Sequence, residues 1–178
     1  MRNDTCARNA ALHEILHLWR YYVIKIPQLM PRDHNANPRL YQMACVFDNE
    51  IEHSVICPLQ ISLGHTSEIE FWRKQATRII GEIPNTKEQA SARFNIAMHV
   101  ISYRWKGIDI RDSLRRAYAL RGYGRVYDSF AKKLSAFEAK TANEKLSMVR
   151  EVLKLTHFDK LLFLSAWFAN PNTAEIPV

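Results

Sequence analysis

The chain has 178 residues, is 47% hydrophobic and carries four tryptophans, which excludes a disordered tail and allows one domain with a real core. Five glycines are too few for a turn-rich β sandwich, and no apolar run reaches the ~18 residues of a transmembrane helix. Lys and Arg number 25 against 18 for Asp and Glu, and the net +7 lies wholly beyond residue 66, since residues 1–66 hold six of each sign.

The opening "MRNDTCARN" lacks the apolar stretch of a secretory signal, so a cytoplasmic protein is expected, with Cys6, Cys45 and Cys57 as reduced thiols. A first helix is expected from about residue 9 to residue 24, closed by Pro27 and Pro31. Ala11, Ile15, Leu16, Trp19 and Tyr22 recur at helical spacing and would face a core. The same helix spells "HEILH". His13 and His17 stand one turn apart, so two ring nitrogens can converge on one zinc ion, with Glu14 beside them as a general base. The metzincin continuation is missing, because "HLWRYYV" has no glycine and no third histidine. No upstream strands precede the motif to align a peptide, and no particular distant Glu stands out as a third ligand.

After the polar breaker "RDHNANP" comes an ambiguous stretch from 38 to 62. Asn37 can cap a helix with Pro38 at its first position, whereas the alternation in "EHSVICPLQISL" also suits a strand, or a hairpin turning at "DNE". A helix followed by an irregular segment is the preferred reading for this part, around residues 34–65. Beyond residue 66 three capping boxes mark helix starts: Ser67 with Glu70, Thr86 with Gln89, and Thr141 with Glu144. Helices are expected at about 68–80, 87–105, 110–121, 124–138, 142–155 and 158–169. Gly122 and Pro171 act as stops, and "HFDKLLFLSAWF" would be a buried central helix. The fold class is therefore mainly α, a helical bundle. A charge-neutral N-terminal part (1–66) runs on into a basic part (67–178) as one continuous domain.

The densest charge runs from Arg104 to Lys133, where nine basic residues face three acidic ones. Arg111, Arg115, Arg116, Arg121, Arg125, Lys132 and Lys133, with Tyr118 and Tyr123 among them, suit a phosphate backbone and the stacking of unpaired bases. No Walker A loop, GxGxxG or GxSxG elbow is present.

The order of parts from Phe71 to Phe168 resembles the small subunit of the type I-E CRISPR interference complex, the CasB family. "ARFNIAMHVIS" matches one of its helices, and Gly107 leads into "SLRRAYALRGYG" with its Arg116-Ala117 pair. "RVYDSFAKKLSAF" and "EKLSMVREVLKL" follow, then a closing helix with Phe158-Asp159 and Trp167. The first 65 residues lie outside the pattern except for the "ALHEILHLW" helix. The resemblance implies an all-α, non-catalytic, antiviral-defence subunit that joins other protein subunits and holds single-stranded DNA or RNA by its backbone. Arg111, Arg115, Arg116, Arg125, Lys132 and Lys133 would make those contacts, without a cofactor. The alternatives are a zinc-dependent hydrolase built on His13, Glu14 and His17, and a helical adaptor that meets an acidic protein.

Overall fold

The computed structural model describes residues 2–32, 38–83, 89–104, 108–137, 139–165 and 175–176. As expected, the fold is mainly α. Among the described residues, seven α-helices are α1 (Arg2–Leu18), α2 (Pro38–Ser62), α3 (Ser67–Glu82), α4 (Gln89–Arg104), α5 (Arg111–Ala119), α6 (Gly124–Leu134) and α7 (Ala142–Thr156). A π-helical turn, Trp19–Val23, extends α1. A small antiparallel sheet of β1 (Gln28–Pro31), β2 (Leu162–Ser165) and β3 (Glu175–Ile176) runs in the order β1-β2-β3.

Two of the predicted start and stop signals form as expected, Thr141 with Glu144 and Gly122. Thr141 caps α7 in a complete capping box with Glu144. Gly122, at φ 81°, closes α5, and Tyr123 N–H bonds back to the carbonyl of Tyr118 at 2.9 Å. Gly64, at φ 83°, closes α2 with the same six-residue bond, from His65 N–H to the carbonyl of Gln60. For α3 the cap position falls on Thr66 rather than Ser67. The Thr86–Gln89 box lies outside the described residues, as do Gly107, Trp167 and Pro171. The core gathers Phe47 of α2, Phe94 and Ile101 of α4, Leu114 and Tyr118 of α5, Phe130 of α6 and Val149 of α7. Phe47 and Phe94 meet edge to face at 5.2 Å.

Three elements differ from the sequence expectation. The ambiguous stretch is one 25-residue helix from Pro38 onward, with Pro58 inside it, and no hairpin turns at "DNE". Its burial explains this: Ala44, Phe47 and Ile51 enter the core at helical spacing, whereas the apparent alternation is local. The expected helix 158–169 gives way to a turn and then β2, and residues 166–170 lie outside the description. A short apolar run reads alike as buried helix or buried strand. Here β1 supplies a pairing partner, with Leu29 opposite Leu164 and Pro31 opposite Leu162.

The third difference concerns α1. Its predicted apolar stripe faces outward, with Ile15 58%, Trp19 42% and Tyr22 53% exposed, and only Leu16 is buried. The inward face carries His13, His17 and Arg20. In the π turn, Ile24 N–H reaches back five residues to the carbonyl of Trp19 at 3.0 Å. Arg20, one turn beyond His17 and on the same face, is the buried residue of this π turn.

Candidate metal centre

Beneath α1 lies a buried ionic network. Arg20 Nε donates to Glu52 Oε2, and its Nη2 and Nη1 donate to the carbonyls of Ala139 (2.6 Å) and Lys140 (3.1 Å). Lys145 Nζ, fully buried, sits 2.8 Å from Glu52 Oε1 and 2.7 Å from Asp48 Oδ1. Asp48 also accepts from the Tyr21 hydroxyl and from Leu29 N–H, both at 3.0 Å. Burial alone would push the Glu52 carboxyl up. Lys145 and Arg20 outweigh that and hold it below the usual carboxylate range. Two cations thus meet two anions, as burial of charge requires.

On this floor three histidines converge. His13 and His17 come from successive turns of α1, and His53 comes from α2, beside Glu52. His13 Nε2 lies 3.0 Å from His53 Nε2 and 3.2 Å from His17 Nε2. One ligand atom from each ring falls within 4.8 Å of the other two. With Zn–N bonds of about 2.05 Å, a tetrahedral site has ligand–ligand edges of about 3.3 Å. The two shorter separations are close to that value.

Outer partners aim the rings. Gln60 Nε2 donates to the carbonyl of Asn9 at 3.3 Å, which turns its Oε1 toward His13. His13 Nδ1–H then donates to Gln60 Oε1 at 2.9 Å, leaving the Nε2 lone pair directed at its neighbours. His53 Nδ1 faces Glu50 Oε1 at 3.7 Å, too long for a hydrogen bond, and Glu50 is itself held by the Ser102 hydroxyl. Burial, followed by the charges of His13 and His53, pushes His17 down to about 4, so its imidazole is neutral at pH 7 and able to coordinate. Two Nε2 atoms approach the single lone pair of His13, which cannot satisfy both by hydrogen bonding. The three ligand atoms are close enough together that they could hold one metal ion.

The centre opens into a cleft of about 680 Å³ that Glu14 also lines. Glu14 is exposed there, on the same helix as the two α1 histidines. Trp72 of α3 closes one side, its ring 5.8 Å from that of His53. Comparison with protein-family models, curated proteins and solved structures finds no match.

The basic residues singled out in the sequence lie on α5, α6 and the turn between them. Arg111 is paired with Asp109 at 3.1 Å, and Arg115 forks onto Asp128 at 2.7 and 2.8 Å. Arg121 donates to the carbonyl of Ala117 at 2.9 Å, capping the end of α5. Tyr118 belongs to the core, 2% exposed, with its hydroxyl 2.7 Å from His99 Nδ1, so it does not stand on a binding face. Tyr123 packs half-buried against the same core. Arg116, Arg125, Lys132 and Lys133 are exposed, and Lys133 lies 3.7 Å from Glu151. Of the motif residues, then, His13, His17 and Glu14 share one cleft. Sequence reasoning missed His53 and Gln60. Their signal was the helical character of 38–62, which puts His53 and Gln60 two turns apart on one face.

Proposed function

We propose that this protein is a zinc-dependent hydrolase whose metal is held by His13, His17 and His53, with Glu14 as general base. The observation that carries the reading is the convergence of three Nε2 atoms from two helices at the base of an open cleft. Zinc held by these three residues would remain open to a water molecule. Bound zinc supplies Lewis acidity, lowering the pKa of that water and polarising the scissile carbonyl. Glu14 takes the proton, and the floor of Glu52, Arg20 and Lys145 keeps the helices at the spacing the ligands need.

Elemental analysis of purified, untagged protein tests this directly. Zinc near one per chain is expected, lost in His17→Ala and in His53→Ala. Glu14→Gln should keep the metal and lose hydrolysis by about a hundredfold or more, the usual worth of a general base. Wild-type protein that stays metal-free after dialysis against zinc would sink the proposal.

A second reading rests on the exposed Arg116, Arg125 and Lys132. On this reading the protein is a basic subunit of a nucleoprotein complex, holding a nucleic-acid backbone without base specificity. Binding to single-stranded DNA should then weaken steeply with salt. Arg116→Ala with Arg125→Ala should reduce the log–log slope by about 1.4. A slope that does not change removes these residues from such a role.

A further inference from the structure

We infer that the cleft above the histidines takes a small, uncharged acyl compound, an amide or ester with an apolar side group, and not a phosphodiester or an extended polypeptide. This rests on the hydrolase reading and names its substrate class. The walls carry the first part of the argument. Leu18, Met30, Val46 and Trp72 supply apolar surface, and Gln28 and Asn49 supply neutral amides. Among the described residues no Lys or Arg lines the cleft, so nothing there neutralises a phosphate, which hydrolytic sites clamp with Arg, Lys or additional metal. The lining carboxylate Asp48 is committed to Lys145, Tyr21 and Leu29. The other, Glu14, is the base. Among the described lining residues no carboxylate is left to hold a cationic substrate.

The edge of the sheet carries the second part. Strand β1 borders the cleft and is the outer strand of the order β1-β2-β3, the place where an extended peptide adds as a further strand. Backbone groups alternate sides along an antiparallel strand. Arg32 N–H points inward to the carbonyl of Leu161, and Leu29 N–H points outward onto Asp48. The outward positions are therefore Leu29 and Pro31. One donor is taken and the other does not exist, so β1 offers an incoming strand no N–H. A compound small enough to sit wholly between Trp72 and Val46 needs none.

The reaction balances with water alone. Glu14 accepts a proton from water as the oxygen bonds to the acyl carbon, and the carbonyl π pair moves onto the carbonyl oxygen. That pair then returns as the bond from carbon to the leaving nitrogen or oxygen breaks, and the leaving atom takes the proton back from Glu14. The products are a carboxylic acid and an amine or alcohol.

The test uses the zinc-loaded full chain, with metal content measured first, against three probes: N-acetyl-leucine para-nitroanilide, bis(para-nitrophenyl) phosphate and unfolded casein. Turnover of the anilide is expected, abolished in Glu14→Gln, with phosphodiester and casein cleavage at least tenfold lower. Val46→Lys should raise KM for the anilide about tenfold or more, the worth of a lost apolar contact in a pocket, with zinc content measured beside it. Binding is read separately in zinc-loaded Glu14→Gln. N-acetyl-leucinamide should change the tryptophan fluorescence, diethyl phosphate should not, and adding Trp72→Phe should remove the change. Loaded protein that cleaves the phosphodiester or casein and spares the anilide overturns the substrate class and leaves the hydrolase reading standing. Loaded protein inert to all three overturns both, and protein that binds no zinc removes the metal centre itself.

Discussion

A glutamine decides which nitrogen His13 presents. Gln60 is held by the carbonyl of Asn9 and accepts from His13 Nδ1–H, so its amide orientation sets the imidazole tautomer. Gln60→Leu keeps much of the volume and removes the acceptor. Zinc affinity is expected to fall by about 10–100-fold, the usual cost of losing an outer partner, with the fold intact by circular dichroism. Zinc competition with a chromophoric chelator measures it, and unchanged affinity would mean that His13 needs no such orientation. Half of this site was legible in the sequence. His13, Glu14 and His17 announce themselves because their spacing is local. His53 and Gln60 do not, since their proximity to α1 depends on how α2 packs, a contact across 40 or more residues that no spacing rule encodes.

At the level of elements, local chemistry was read well and ambiguous apolar runs were read poorly. The Thr141–Glu144 box and the Gly122 stop are complete in a handful of residues, so sequence and structure coincide there. The "LFLS" run takes its conformation from β1, more than a hundred residues earlier, and α2 takes its helicity from burial of Phe47 and Ile51 in spite of Pro58. The box yields its own test. Thr141→Ala should destabilise the protein by about 1 kcal/mol in urea unfolding, as loss of an N-cap does. Its acidic partner adds a pH dependence. The Thr141 N–H beside Glu144 holds that carboxyl below its ordinary value of 4.5. A lowered folded pKa means the contribution is complete above pH 4.5 and is lost as the pH falls through the lowered value. In Glu144→Gln the stability difference from wild type should therefore shrink below pH 4.5; a difference that persists in acid would assign the effect to another group.

For the molecule as a whole, the basic excess of the second half is partly spent within the protein. Arg111, Arg115 and Lys133 each face a carboxylate, and Lys145 is buried among two. Charge counting along the sequence cannot see such pairing, which is why it weights the α5–α6 face more heavily than the cleft. Lys145 of α7 also reaches both buried acids of α2, Asp48 and Glu52. Lys145→Met should cost about 3–5 kcal/mol, because Asp48 and Glu52 would then be buried with too little positive charge. Urea unfolding in the presence of a chelator measures this apart from any stabilisation by metal; a loss below 1 kcal/mol would show that Arg20 alone suffices. The same contact sets an order of assembly during translation. All three histidines leave the ribosome well before Lys145 does, so a nascent chain carries the ligands while Asp48 and Glu52 still lack its ammonium. The ion pairs beneath the imidazoles are completed last, after every ligand has been made.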